Sequence, residues 1–172
     1  MKLRAPLLIL LIIILVWLQL AVEGNIGFLH GRVNLVLAAL VILVNLTPWP
    51  LAVIVSISAG LLLDVYSGLP FGVLTAVLFV VAVIVEILFI NFFTNFSLYS
   101  LVSLGLIAAI SYNILFLVVV CLLYFLGYFD FLPFGDYSWK VLWQVFSTIA
   151  IMLLTYFVIN RSSRQFKPMF LK

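Results

Sequence analysis

Charge is what this sequence has least of. Asp, Glu, Lys and Arg make up 8% of its 172 residues, against about 25% in an ordinary soluble domain. So little charge leaves no soluble domain large enough to carry chemistry of its own. Cysteine is nearly absent too: Cys121 stands alone in an apolar run, which rules out a disulfide within the chain and leaves no partners for a cysteine metal site. It reads as a small apolar residue facing lipid or core. One histidine, His30, lies beside Arg32 with no carboxylate pair, serine elbow or cysteine at useful spacing. Glycine-rich phosphate loops and metal-ligand clusters are missing. No catalytic residue, metal or cofactor is expected. The eight basic residues are too few and too dispersed for a nucleic-acid surface.

What remains is apolar: 68% of the chain is hydrophobic. A hydrocarbon layer about 30 Å thick asks for roughly 20 apolar residues per helical crossing. The length therefore allows about six crossings with short loops, as a single transmembrane domain over residues 1–172. The expected fold class is an all-α polytopic membrane protein. Six segments can be drawn: about Pro6–Val22, Val33–Leu46, Leu51–Leu63, Phe71–Ile90, Leu98–Leu126 and Val141–Ile159. Pro6 suits the first turn of a helix. Lys2 and Arg4 ahead of an apolar run resemble a secretory leader. The run from Leu7 to Val22 exceeds the usual leader core of about 7–15 residues, so it is expected to be a retained first helix.

With an even number of crossings both termini share one side. That side then holds Lys2, Arg4, Arg161, Arg164, Lys167 and Lys172, while Arg32 and Lys140 fall opposite with Glu23, Asp130 and Asp136. The positive-inside rule makes the first side cytoplasmic. The second and third segments are short, and Thr47-Pro-Trp-Pro50 separates them, since two prolines interrupt a helix. Two arrangements are open for residues 33–63: two crossings through a locally thin membrane, or a re-entrant hairpin covered by protein. The loop from Gly127 to Trp139 carries Tyr128, Phe129, Phe131, Phe134, Tyr137 and Trp139. It reads as an interfacial aromatic belt, or alternatively as a docking surface for an extracytoplasmic partner.

The stretch with most to say is Gly60-Leu-Leu-Leu-Asp64-Val-Tyr-Ser67-Gly68-Leu-Pro70-Phe-Gly72. Gly60 and Asp64 are one helical turn apart, hence on one face. A glycine there lets another helix approach closely. Asp64 is placed to accept hydrogen bonds from the free N–H groups of the following helix, and Ser67, Gly68 and Pro70 are turn formers. The alternative is a plain interhelical turn with an interfacial acid. Glu86 sits deep in the fourth segment, where insertion scales charge about 2.5–3.5 kcal/mol for an ionised group. It is expected to face the bundle or a partner, or to be protonated, unless it lies near the cytoplasmic surface. Asn45 and Asn113 are candidates for hydrogen bonds between helices.

The proline-broken pair leading into Gly60-Leu-Leu-Leu-Asp64 and Ser67-Gly68-Leu-Pro70-Phe-Gly72 resembles the MreD family of bacterial rod shape-determining membrane proteins. Size and number of apolar segments agree along the whole chain; the specific motif covers about a dozen residues. The resemblance implies a fold similar to the substrate-binding membrane subunits of energy-coupling-factor transporters. It implies a non-enzymatic scaffold of the cell-elongation complex in the bacterial cytoplasmic (inner) membrane. The implied partner is an MreC-type membrane protein, with indirect links to MreB filaments, the glycosyltransferase RodA and a penicillin-binding transpeptidase. Gly60, Asp64, Gly68, Pro70 and Gly72 carry over as residues that shape the turn. The resemblance gives Glu86 no role. A transporter's small-solute-binding subunit is the alternative, because short Gly/Pro-interrupted segments also mark transporter sites. A third reading, a membrane-embedded enzyme acting on lipid, has only Asp64 and Glu86 to offer, on different segments.

Overall fold

The computed structural model describes residues 12–21, 34–46, 49–92, 98–128 and 137–166. Among them are six helices and no strand: α1 (Ile12–Ala21), α2 (Leu35–Leu46), α3 (Trp49–Tyr66), α4 (Val73–Phe92), α5 (Leu98–Phe125) and α6 (Tyr137–Phe166). Each is an apolar stretch free of internal proline beyond its first turn, so nothing interrupts the backbone ladder. The expectations for His30, Arg32, Glu23, the loop residues 129–136 and the terminal charges Lys2, Arg4, Lys167 and Lys172 concern residues outside those described, whereas Arg161 and Arg164 lie in the last turns of α6.

Helix bounds differ from the expected ones where local chemistry extends a helix. The third helix was expected over 51–63, ending at Asp64; α3 instead runs from Trp49 to Tyr66. Pro50 does not hold it back, because a first-turn N–H has no intrahelical acceptor to lose. Asp64 consequently lies inside the last turn of α3. The sixth segment also grows, to 30 residues, since the polar ends Tyr137–Lys140 and Asn160–Phe166 are helix-compatible as well.

Helix α2 is the hub. It packs against α3, α4, α5 and α6, and Leu37, Ala38, Leu40, Val41 and Val44 are at most 1% exposed. A helix apolar all round belongs in such a position. Its start is held twice: Asn34 Oδ1 accepts the Leu37 N–H at 2.9 Å, and Gln19 Oε1, reaching over from α1, accepts the Leu35 N–H at 2.6 Å. Val36, Ala39 and Leu40 line one crevice with Val55, Ser56 and Ala59, so α2 and α3 run antiparallel as a hairpin.

Small residues fill the contacts. Ala38, Ala52, Ala59, Ala82, Ala108 and Ala109 are all buried, the pattern expected when close van der Waals approach holds helices together. Gly105 of α5 lies under the Met152 side chain of α6. α5 closes with a two-bond cap: the Gly127 N–H donates to Tyr124 O and the Tyr128 N–H to Leu123 O, each at 3.0 Å.

α4 and α5 are long and apolar enough to cross a membrane. Only 33% of the apolar window of α4 and 22% of that of α5 is buried within the bundle. A core helix of a water-soluble protein would be mostly buried. Here Ile87, Ile90, Ile110, Ile114 and Leu122 point outward, along with Trp17 of α1 and Phe146 and Leu154 of α6.

Candidate functional site

Seven residues are the sequence's candidates for partner or ligand binding, and the junction of α3 and α4 brings together six of them, Gly60, Asp64, Ser67, Gly68, Pro70 and Gly72, without the seventh, Glu86. Asp64 is 4% exposed. Its Oδ1 accepts the Leu74 N–H at 2.8 Å. Its Oδ2 accepts the Gly72 N–H at 3.1 Å, the Thr75 N–H at 3.0 Å and the Thr75 hydroxyl at 2.5 Å. The remaining N–H at this helix start, that of Val73, donates to the Pro70 carbonyl at 3.3 Å. The four donors that a helix N-terminus leaves open are therefore all taken.

This explains an acid at the wrong end of its own helix. A carboxylate in the last turn of α3 faces the negative end of that helix's dipole, which disfavours it. It is stabilised instead by the positive end of α4, where three backbone N–H groups converge on it. Four accepted bonds match what an ionised carboxylate can take. Its oxygens are engaged in holding two helices together, which leaves little of them for a ligand.

Gly60 completes the junction. A Cβ at this position would stand 2.6 Å from the Thr75 Cα, inside any real contact distance. Glycine here is what lets the backbones of α3 and α4 touch. Gly60 and Asp64, one turn apart, thus grip the same residue: one meets its Cα, the other accepts its N–H and its hydroxyl. The turn between the helices needs glycine for a different reason. Gly68 has φ +66° and Gly72 has φ +98°, in the left-handed region that side-chain-bearing residues avoid, although a Cβ at either would meet open space. Ser67 closes the turn locally, its hydroxyl donating to Asp64 O at 3.2 Å and accepting the Leu69 N–H at 3.3 Å.

Sequence reasoning missed Thr75 and Leu74. The signal was available: a capping carboxylate accepts the free N–H groups at the second and third positions of a helix, which here are Leu74 and Thr75. Glu86 does not join this group. It lies eleven residues beyond Thr75 on α4, about 16 Å along the axis. It is 3% exposed, turned into the bundle, and its Oε2 has no hydrogen-bond partner. Asn45 also departs from expectation, because its amide nitrogen donates to Val41 O of its own helix at 2.8 Å and not across to a neighbour. Asn113 Nδ2 donates to Ala109 O of its own helix at 2.7 Å.

Around the junction the surface is aromatic and apolar: Val65, Tyr66 and Phe71 are 65%, 67% and 70% exposed. By the order of the helices, Tyr128 at the end of α5 and Trp139 at the start of α6 stand at the same end of the bundle, and both are exposed. Among the described residues no group of three or more His, Cys, Asp and Glu could hold a metal ion. No protein-family model matches this sequence, nor does any curated protein or solved structure.

Proposed function

We propose that this chain is a multi-pass scaffold of the bacterial cytoplasmic membrane, with both termini in the cytoplasm, that supports lateral cell-wall synthesis by pairing with an MreC-type partner. The observation that carries the proposal is the junction itself. The residues of the family-like motif converge on a fixed helix–helix joint, with Asp64 saturated by hydrogen bonds and Gly60 in backbone contact. A joint of this kind sets an angle and presents a surface. The outward apolar faces of α4 and α5 support the membrane setting, because exposed apolar area of that extent is stable only against lipid or protein.

In this reading α1 enters from the cytoplasm and the junction sits on the outer side. Tyr66 and Phe71 then project beside a rigid turn, where aromatic side chains serve as interface anchors. The partner's membrane segment packs along an apolar helix face, and the base of its extracytoplasmic part meets the turn. The joint acts indirectly, by keeping that turn in place.

Co-purification in lipid nanodiscs with the MreC-type protein of the same organism tests this. The wild-type chain is expected to form a stable complex, and Asp64→Ala and Gly60→Val to lose most of it. A complex unaffected by either variant, or no complex in nanodiscs at all, overturns the proposal. A retained small solute found by mass spectrometry in the second case points to a transporter's binding subunit instead.

A further inference from the structure

At the other end of the bundle the polar chemistry is reversed. Among the described residues, Glu86 Oε2 on α4 and Asn45 Oδ1 on α2 are buried and accept no hydrogen bond. Both residues extend the buried stripe of their helix: Glu86 follows Ala82 by one turn, and Asn45 follows Val41 by one turn, with Ala82 and Val41 fully buried. α2 and α4 pack directly on each other.

Register places the two residues at about one level. Gly60 abuts Thr75, so eleven residues along these antiparallel helices Glu86 stands level with Trp49, the first residue of α3. Leu40 shares a crevice with Val55 and Ser56, so five residues along the α2–α3 hairpin Asn45 stands level with Pro50 and Leu51. Asn45 and Glu86 therefore lie within about one residue rise, roughly 1.5 Å, of the same height.

None of the described side chains is basic. No Lys, Arg or His occurs between Arg32 and Lys140. Of the helices packed on α4, α2 has no titratable side chain. α3 carries Asp64 and Tyr66, both at the opposite end. α5 carries Tyr99, Tyr112, Cys121 and Tyr124, of which Tyr99, the nearest to the α4–α5 turn, is 75% exposed. α6, with Arg161 and Arg164, packs on α2 and α5 but not on α4 among the described residues. Rotating the Asn45 amide does not help: it would give up the bond to Val41 O and set carbonyl against carbonyl. Neither oxygen is met by a donor among the described residues, and a single hydrogen held between them would satisfy both.

We infer that Glu86 and Asn45 form an intramembrane proton-binding site, in which Glu86 carries the proton on Oε2 and donates it to Asn45 Oδ1. The ligand is a proton rather than a metal ion on grounds of ligand number. Hard cations ask for about six or more oxygens, whereas this level is walled by Val41, Val44, Ala82 and Val85, all buried. The inference rests on the membrane setting proposed above, not on any partner.

Infrared spectroscopy of the full chain in nanodiscs reads this directly, because only a protonated carboxyl shows the acid carbonyl stretch. Near neutral pH that band is expected in the wild type and lost in Glu86→Gln. In Asn45→Leu it is expected to persist but move to higher wavenumber. Superimposable wild-type and Glu86→Gln spectra overturn the site; an unmoved band in Asn45→Leu overturns the assignment of Asn45 as acceptor. Should Glu86→Gln yield no folded protein, labelling of the wild type with a membrane-permeant carbodiimide, which attacks protonated carboxyls, decides. An adduct on Glu86 and none on Asp64 is expected, and absence of the Glu86 adduct refutes the site. Membrane integration itself is checked separately by resistance to carbonate extraction, so failure of the setting and failure of the site give different results.

Discussion

Removing the Asp64 carboxylate is the sharpest perturbation of the α3–α4 joint. Asp64→Ala strips four hydrogen bonds from one buried residue, three to backbone N–H groups and one to the Thr75 hydroxyl. In water, buried charge-assisted bonds are worth about 1.5–3 kcal/mol each. In a membrane the unfolded reference state finds partners too, and measured values average nearer 0.6 kcal/mol. Four bonds at about 0.6–1 kcal/mol put the loss at about 2–4 kcal/mol. Asp64→Asn tests the geometry more finely. Its single carbonyl can take the place of Oδ2 and keep three donors, but its NH2 then points at the Leu74 N–H. Its loss should be about half that of alanine, on the order of 1–2 kcal/mol. The lone cysteine, Cys121, half-buried in α5, supplies the assay: heating in detergent releases it to a thiol-reactive dye. At about 2–4 °C per kcal/mol for a chain of this size, Asp64→Ala should lower the midpoint by about 5–15 °C, with Asp64→Asn between it and wild type. Equal midpoints for wild type and Asp64→Ala, or an asparagine variant worse than alanine, would refute the reasoning.

Two further outcomes follow from the same geometry and can be read in the same thermal assay. Gly60→Val should destabilise by at least about 2 kcal/mol, since its Cβ meets backbone rather than a movable side chain; because it acts on Thr75 as well, its effect should be less than additive with Asp64→Ala. Gln19→Leu removes the acceptor from the Leu35 N–H and should cost about 1 kcal/mol, additively with Asp64→Ala, because it acts on another helix pair.

The local parts of the joint are legible in the sequence. Gly60 and Asp64 share a face by spacing alone, and turn formers follow at once, so a carboxylate next to the start of the next helix is foreseeable. What the linear pattern hides is set across helices. Thr75 looks like any threonine in an apolar run until α3 lies against it. Gln19 looks like a blemish in the first segment, yet it caps α2 across an interval of 16 residues. Asn45 looks like an interhelical contact, but an asparagine inside a helix has a nearer acceptor one turn back, and its amide takes that local bond. The start of α3 departs from expectation for a related reason: proline breaks a helix in its interior, whereas in the first turn of α3 it breaks nothing.

The two polar levels of the bundle are complementary solutions to one constraint. At membrane depth every buried polar group needs a partner from the protein. Where α4 begins, free N–H donors converge, and the chain supplies an acceptor with a full negative charge from the preceding helix. Eleven to fourteen residues later on the same helix, two buried acceptors, Glu86 Oε2 and Asn45 Oδ1 of the neighbouring α2, are left without a donor among the described residues. An error of folding would leave both kinds of mismatch scattered. Here the donor-rich level is matched to the last N–H, and the acceptor-rich level is left short by one hydrogen, on a residue whose side chain is able to hold that hydrogen itself. That difference is why Asp64 reads as a fixed part of the frame and Glu86 as the group whose occupancy can change.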